Sequence, residues 1–140
     1  MSDPMHATAR AESDHPQRWT NVLIVFLRVM ATLSLVKGLY HWSLVLGVAE
    51  GSVSSFEASP TPWQAATVYF AVIDLVAAVG LWLAAAWGGV LWLTAALSMA
   101  ALEMFFPQVF GGRIWLIAGE IAMIATYFTL AVLANREQPE

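Results

Sequence analysis

The chain has 140 residues, 59% hydrophobic and only 11% charged, with a net charge of −4 and no cysteine. A water-soluble domain is normally about one-quarter charged, so this composition belongs to the membrane class. An acidic balance with six basic residues excludes a nucleic-acid surface, and the missing cysteines exclude disulfides, thiol redox chemistry and Cys-ligated zinc or iron–sulfur centres.

Residues 1–18 are polar and lack periodicity, and are expected to form a disordered cytoplasmic tail. The apolar run Val22–Leu46 then exceeds the roughly 20 residues that a bilayer-spanning helix needs. It is too long for a signal-peptide core and reads as a retained signal-anchor. A first helix is expected over 19–47, its excess length absorbed by tilt, a bend near Gly38 or a projecting end. Residues 48–61 form a polar, acidic loop, and Thr61-Pro62-Trp63-Gln64 reads as a helix start with Thr61 as cap. A second helix is expected over 63–87, with a tight reversal at Gly88-Gly89. A third follows over 90–106, stopped by Pro107, and a fourth over 113–135, followed by a cytoplasmic tail at 136–140.

The fold class is therefore all-α, an integral membrane four-helix bundle over 19–135. Arg10, Arg18 and Arg136 flank one side, while Arg113 lies on the other with Glu50 and Glu57. The positive-inside rule places both termini in the cytoplasm.

Five charges interrupt the apolar runs: Arg28, Lys37, Asp74, Glu103 and Glu120. Charged groups at bilayer depth are costly and need partners. Counted from the cytoplasmic helix ends at about 1.5 Å per residue, Arg28 lies about 14 Å deep, Asp74 and Glu103 about 20 Å, Glu120 about 22 Å and Lys37 about 27 Å. Arg28 is thus expected to reach Asp74, and Lys37 to share a level with Glu103 and Glu120. One reading takes these charges as structural pairs that fix helix register, with Glu103 at headgroup level near Pro107. The other takes the surplus acid, with His41 and with Tyr127 one heptad beyond Glu120, as a proton-linked or ligand-binding site.

Gly80, Ala84 and Gly88 recur at four-residue spacing as a close-packing face within the chain, or for a second copy. The tryptophans are mostly interfacial, although Tyr40 and Trp42 beside His41 can stack a quinone-like ring. A single intramembrane histidine excludes bis-histidine haem within one chain. No metal-ligating cluster, nucleophilic triad or phosphate-binding loop occurs.

The runs FLRVMATLSLVKGLYHW and VIDLVAAVGLWLAA resemble the DoxX-like family of small four-helix bacterial membrane proteins, with Arg28, Gly38, Asp74 and Gly80 at its matching positions. Asp74 stands where the family usually has glutamate, Lys37 precedes the glycine rather than following it, and the glycine often found soon after the arginine is absent. The resemblance implies a bacterial inner-membrane bundle, in an uncharacterised branch, and a link to quinone or thiosulfate oxidoreductase complexes. Two functions follow as expectations. The first is a non-catalytic accessory or structural subunit with a membrane-protein partner or a second copy. The second is a proton-linked or quinone-like small-molecule protein with an acidic, outward-facing cavity. No cofactor is evident beyond a quinone, and a catalytic role ranks last.

Overall fold

The structure, a computed structural model, describes residues 17–48, 56–111 and 114–137. The tail before residue 17, residues 49–55 of the 48–61 loop, Gly112, Arg113 and residues 138–140 lie outside the described residues, and so do the expectations made for them. The helices are α1 (Arg18–Val45), α2 (Thr61–Trp82), α3 (Ala86–Phe105), the single turn α4 (Pro107–Phe110) and α5 (Ile114–Arg136), with no strand among the described residues. Four are long and apolar enough to cross a membrane. The fold is all-α, as the hydropathy pattern dictates, because a lipid environment requires each segment to satisfy its own backbone polar groups.

The helix ends differ instructively from the sequence reading. The reversal after α2 falls at Leu83–Ala85, not at Gly88-Gly89. Ala84 takes the left-handed conformation at φ 51, Ala84 N–H donates to Leu81 O, and Ala85 N–H donates to Gly80 O, which is a Schellman closure. A non-glycine residue in this conformation costs about 1–2 kcal/mol. Gly47, at φ 70, closes α1 in the same way with glycine in that position. Gly80, Ala84 and Gly88 accordingly do not share one helix. Gly80 ends α2, Ala84 makes the turn, and Gly88 opens α3 against Gly80: a Cβ on Gly88 would stand 2.2 Å from the Gly80 carbonyl carbon. The glycines serve close approach of two helix backbones.

At the start of α2, Thr61 is already helical and supplies no cap. Gln64 instead donates from Nε2 to the carbonyls of Phe56, Glu57 and Ser59, tying the loop to the helix.

Helix α1 packs most extensively on α2, α2 on α3, and α5 chiefly on α1. Met30, Ala31, Ala77, Leu81 and Trp92 form the buried core. Gly38 is a contact point rather than a bend, since Leu75 fills the space its Cβ would need. Lys37 faces Asp74 and Arg28 faces Trp82, so the α2–α3 hairpin ends level with Arg28. Residues 18–27 of α1 therefore run on by about 15 Å. There α5 accompanies them, with Leu130 and Ala134 buried.

That extension is clasped at its tip. Helix α1 has no side-chain cap of its own. The Glu137 carboxylate accepts hydrogen bonds from Trp19 N–H at 2.9 Å, Thr20 N–H at 3.0 Å and the Thr20 hydroxyl at 3.3 Å. An acid at a helix N-terminus satisfies orphan N–H groups and meets the positive end of the dipole. Partial desolvation pushes the Glu137 carboxyl up, but these donors outweigh it and hold the group below its ordinary value of 4.5. The clasp brings the start of α1 and the end of α5 to one end of the bundle.

Candidate functional site

On α1, Ser34, Lys37 and His41 follow one another at spacings of three and four and so share a face. On α2, Phe70 and Asp74 share a face by the same rule, flanked by Ala71, Ala77 and Ala78, all buried. The close approach at Gly38 presses these faces together. Lys37 Nζ lies 3.7 Å from Asp74 Oδ2, and His41 Nδ1 lies 3.8 Å from the same oxygen. Phe70 underlies both side chains: the His41 ring stacks on it at 5.7 Å, and Lys37 Nζ sits 5.2 Å from its centroid. Asp74 is only 2% exposed, whereas the Lys37 side chain is 34% exposed.

The expected pairing of Arg28 with Asp74 is not formed. Arg28 is exposed, with its guanidinium 5.1 Å from the Trp82 ring centroid. Depths counted from each helix end assume flush ends, and the ten-residue overhang of α1 moves Lys37, not Arg28, to the level of Asp74. The interior therefore holds one lysine and three carboxyls, a larger acid surplus than the sequence suggested.

Glu120, half-buried on α5, shares a cavity of about 110 Å³ with Ser34, Lys37, Asp74, Trp92 and Met123. It lies within electrostatic reach of Lys37, Glu103 and Asp74. Glu103, two residues from the end of α3, is 2% exposed. Among the described residues, Asp74 Oδ2, Glu103 Oε2, Glu120 Oε2 and His41 Nδ1 are buried atoms without a hydrogen-bond partner. Buried polar groups are nearly always satisfied, so such atoms mark an incomplete polar interior.

His41 borders a different space. A second cavity of about 200 Å³, on the far side of the Lys37–Asp74 contact, is walled by Tyr40, His41, Trp63, Phe70, Met99 and Phe110. Trp42 is not on its wall. Tyr127, grouped with Glu120 by its seven-residue spacing, packs instead against Trp92 at 5.8 Å and over Gly89. The residues expected to form one site, His41, Glu103, Glu120 and Tyr127, are thus divided among two cavities, a buried position and a packing contact. Ser34 and Trp92 were missed as site residues; the signal for Ser34 was its shared face with Lys37, while nothing in the sequence distinguished Trp92 from the other tryptophans.

Among the described residues no group of three His, Asp or Glu side chains has the geometry to hold a metal ion. The arrangement can do two things chemically: hold protons on closely spaced carboxyls, and offer an ammonium and protonated carboxyls as donors to a polar guest. No curated protein and no solved structure matches the chain. One family model does, over residues 21–138, which take in every residue of this site and all of the four long helices but the first three residues of α1, and the chain belongs to that Family of unknown function (DUF6163).

Proposed function

We propose that this protein is a multi-pass protein of the bacterial inner membrane, with both termini in the cytoplasm, that binds a small polar molecule in a proton-linked manner between Lys37, Asp74 and Glu120. The observation that carries this reading is the acid surplus: two buried carboxyls, a half-buried third and one lysine, with Asp74 and Glu120 oxygens lacking a hydrogen-bond partner beside a cavity. An unpaired carboxylate in an apolar bundle is strongly unfavourable, so the site favours a proton or a guest that supplies a donor. Catalysis by this chain alone is not part of the proposal.

A quinone headgroup is the ligand class proposed. Its carbonyl oxygens suit donation from Lys37 and a protonated Glu120, and Trp92 supplies an aromatic wall. The DoxX-like resemblance, with its link to quinone-using complexes, supports the same class, and the clustering of Gly38 and Asp74 at one helix contact is consistent with it.

The test is quenching of tryptophan fluorescence by a short-chain ubiquinone analogue, measured across pH on detergent-solubilised protein. Wild type is expected to show saturable, pH-dependent quenching, and Glu120→Gln to remain folded and lose it. Equal quenching in both, or a Glu120→Gln protein that only loses stability, overturns the site.

A second reading has its own observation. The Glu120 end of α5 is bare: Trp115 is 85% exposed and Gly119 has no neighbour within 4 Å. This supports an accessory subunit whose partner, another membrane protein or a second copy, covers that face. A stoichiometric protein partner on gentle extraction from the native membrane, with no quinone response, would select it.

A further inference from the structure

The α1–α2 seam has an outer side that the charged cluster does not use. A groove of about 230 Å³ runs along it, walled by Ala31, Thr32, Leu35, Ala78, Val79 and Trp82. Small residues on both helices make the groove, and its walls are almost wholly apolar. At its mouth sits Arg28, exposed, its guanidinium 5.1 Å from the Trp82 ring centroid. No carboxylate lies within ion-pair distance of Arg28 among the described residues.

The level of this mouth in a bilayer follows from α2. Its 22 residues span about 33 Å, close to the roughly 30 Å hydrocarbon thickness, so Trp82 at its end stands toward one boundary, with the exposed Val22, Ile24 and Val25 of α1 running on beyond it. Tryptophan favours that level, and an arginine beside it extends toward lipid phosphates. From Trp82 the groove descends past Val79 and Ala78 to Leu35, toward the bilayer middle. A long cationic side chain able to extend toward headgroup height above an apolar furrow is complementary to one kind of molecule.

We propose that this groove binds an anionic phospholipid, its phosphate held by Arg28 against the Trp82 ring and one acyl chain lying along Ala31, Leu35, Ala78 and Val79. Guanidinium binds phosphate through paired, charge-assisted hydrogen bonds, and the indole face fixes the guanidinium plane. An apolar segment of another protein would fill the furrow but leave Arg28 without an anion. A phosphatidylcholine offers the same phosphate with an ammonium competing for it.

The experiment is native mass spectrometry of the full chain in mild detergent, titrated with phosphatidylglycerol or with phosphatidylcholine of identical acyl chains. Wild type is expected to retain phosphatidylglycerol about tenfold more strongly, the scale of one charge-assisted contact. Arg28→Gln abolishes that preference, and Arg28→Lys keeps part of it. Val79→Trp, placed on an exposed wall position, weakens retention of both lipids. Equal retention of the two lipids by wild type, or an Arg28→Gln protein that keeps the preference, overturns the proposal. So does a dimer that Val79→Trp dissociates while lipid retention stays unchanged, because the occupant is then a second copy. The comparison within wild type decides the matter even where a variant folds poorly.

Discussion

Gly88 and Gly119 show how differently the two parts of this bundle are built. A Cβ on Gly88 would meet Gly80 and Leu81 backbone atoms at 2.2–2.6 Å, while a Cβ on Gly119 would meet nothing within 4 Å. The acids follow the same division. Asp74 lies in the α1–α2 seam with a lysine fixed beside it, and Glu120 stands on a helix secured mainly at its other end, by Leu130, Ala134 and the Glu137 clasp. Helices α1 to α3 define the shape through backbone contact. Helix α5 contributes a carboxyl to the cavity from a segment that packs loosely, which is where a binding element able to move belongs.

The comparison breaks first, and with the largest effect, at the glycines. Gly88→Ala must force α2 and α3 apart, because backbone cannot yield as a side chain can. A loss of about 3 kcal/mol or more is expected, at the upper end of overpacking costs, read as lost folded protein in membrane extracts and a lower melting temperature. Gly119→Ala should be neutral or gain about 0.5–1 kcal/mol from helix propensity. Similar losses at both positions would show that α5 is packed as tightly as the hairpin.

The charged cluster gives the next largest effect. Lys37→Met leaves Asp74 buried without its cation. Breaking a fully buried pair costs roughly 3–5 kcal/mol, and the one-third exposure of Lys37 reduces the expectation to about 2 kcal/mol. Lys37→Met with Asp74→Asn together should recover part of it, since no charge is then stranded. Glu120→Gln, by contrast, should cost under about 1 kcal/mol, a carboxyl near a cavity having other means of relief. Equal losses for Lys37→Met and Glu120→Gln would erase the distinction between seam and cavity.

The four long apolar helices and the all-α class were legible because a twenty-residue apolar run in lipid must satisfy its own backbone as a helix. The presence of interior charges was legible too, since Lys37, Asp74, Glu103 and Glu120 interrupt those runs. Their pairing was not. It depends on the stagger of α1 against the hairpin, set by Gly38 on Leu75, a contact between segments that no local spacing encodes. The turn was misread for a related reason: Gly88-Gly89 carries the usual signal for reversal, but Ala84 accepts the left-handed strain and frees the glycines for close packing. Glu137 looked like tail. Its role as a cap for a helix that begins 119 residues earlier is visible only once both ends lie together.

The smallest effect tests what holds α5 in place. Glu137 accepts from the first-turn N–H groups of α1 as a carboxylate, and its pKa lies below 4.5 in the folded protein. The unfolded chain therefore binds this proton more readily, so the stabilisation is present above the unfolded value and is lost as pH falls through the folded one. Glu137→Gln keeps a hydrogen-bond acceptor and removes the charge. At neutral pH it should melt slightly below wild type, and raised salt should narrow the gap because the clasp is exposed. As pH falls below 4.5 the wild-type curve should drop toward the variant's, and the interior carboxyls, common to both proteins, cancel in the difference. Parallel curves at every pH would mean that Leu130 and Ala134 alone dock α5, and that the carboxylate at the helix end does no more than fill a position.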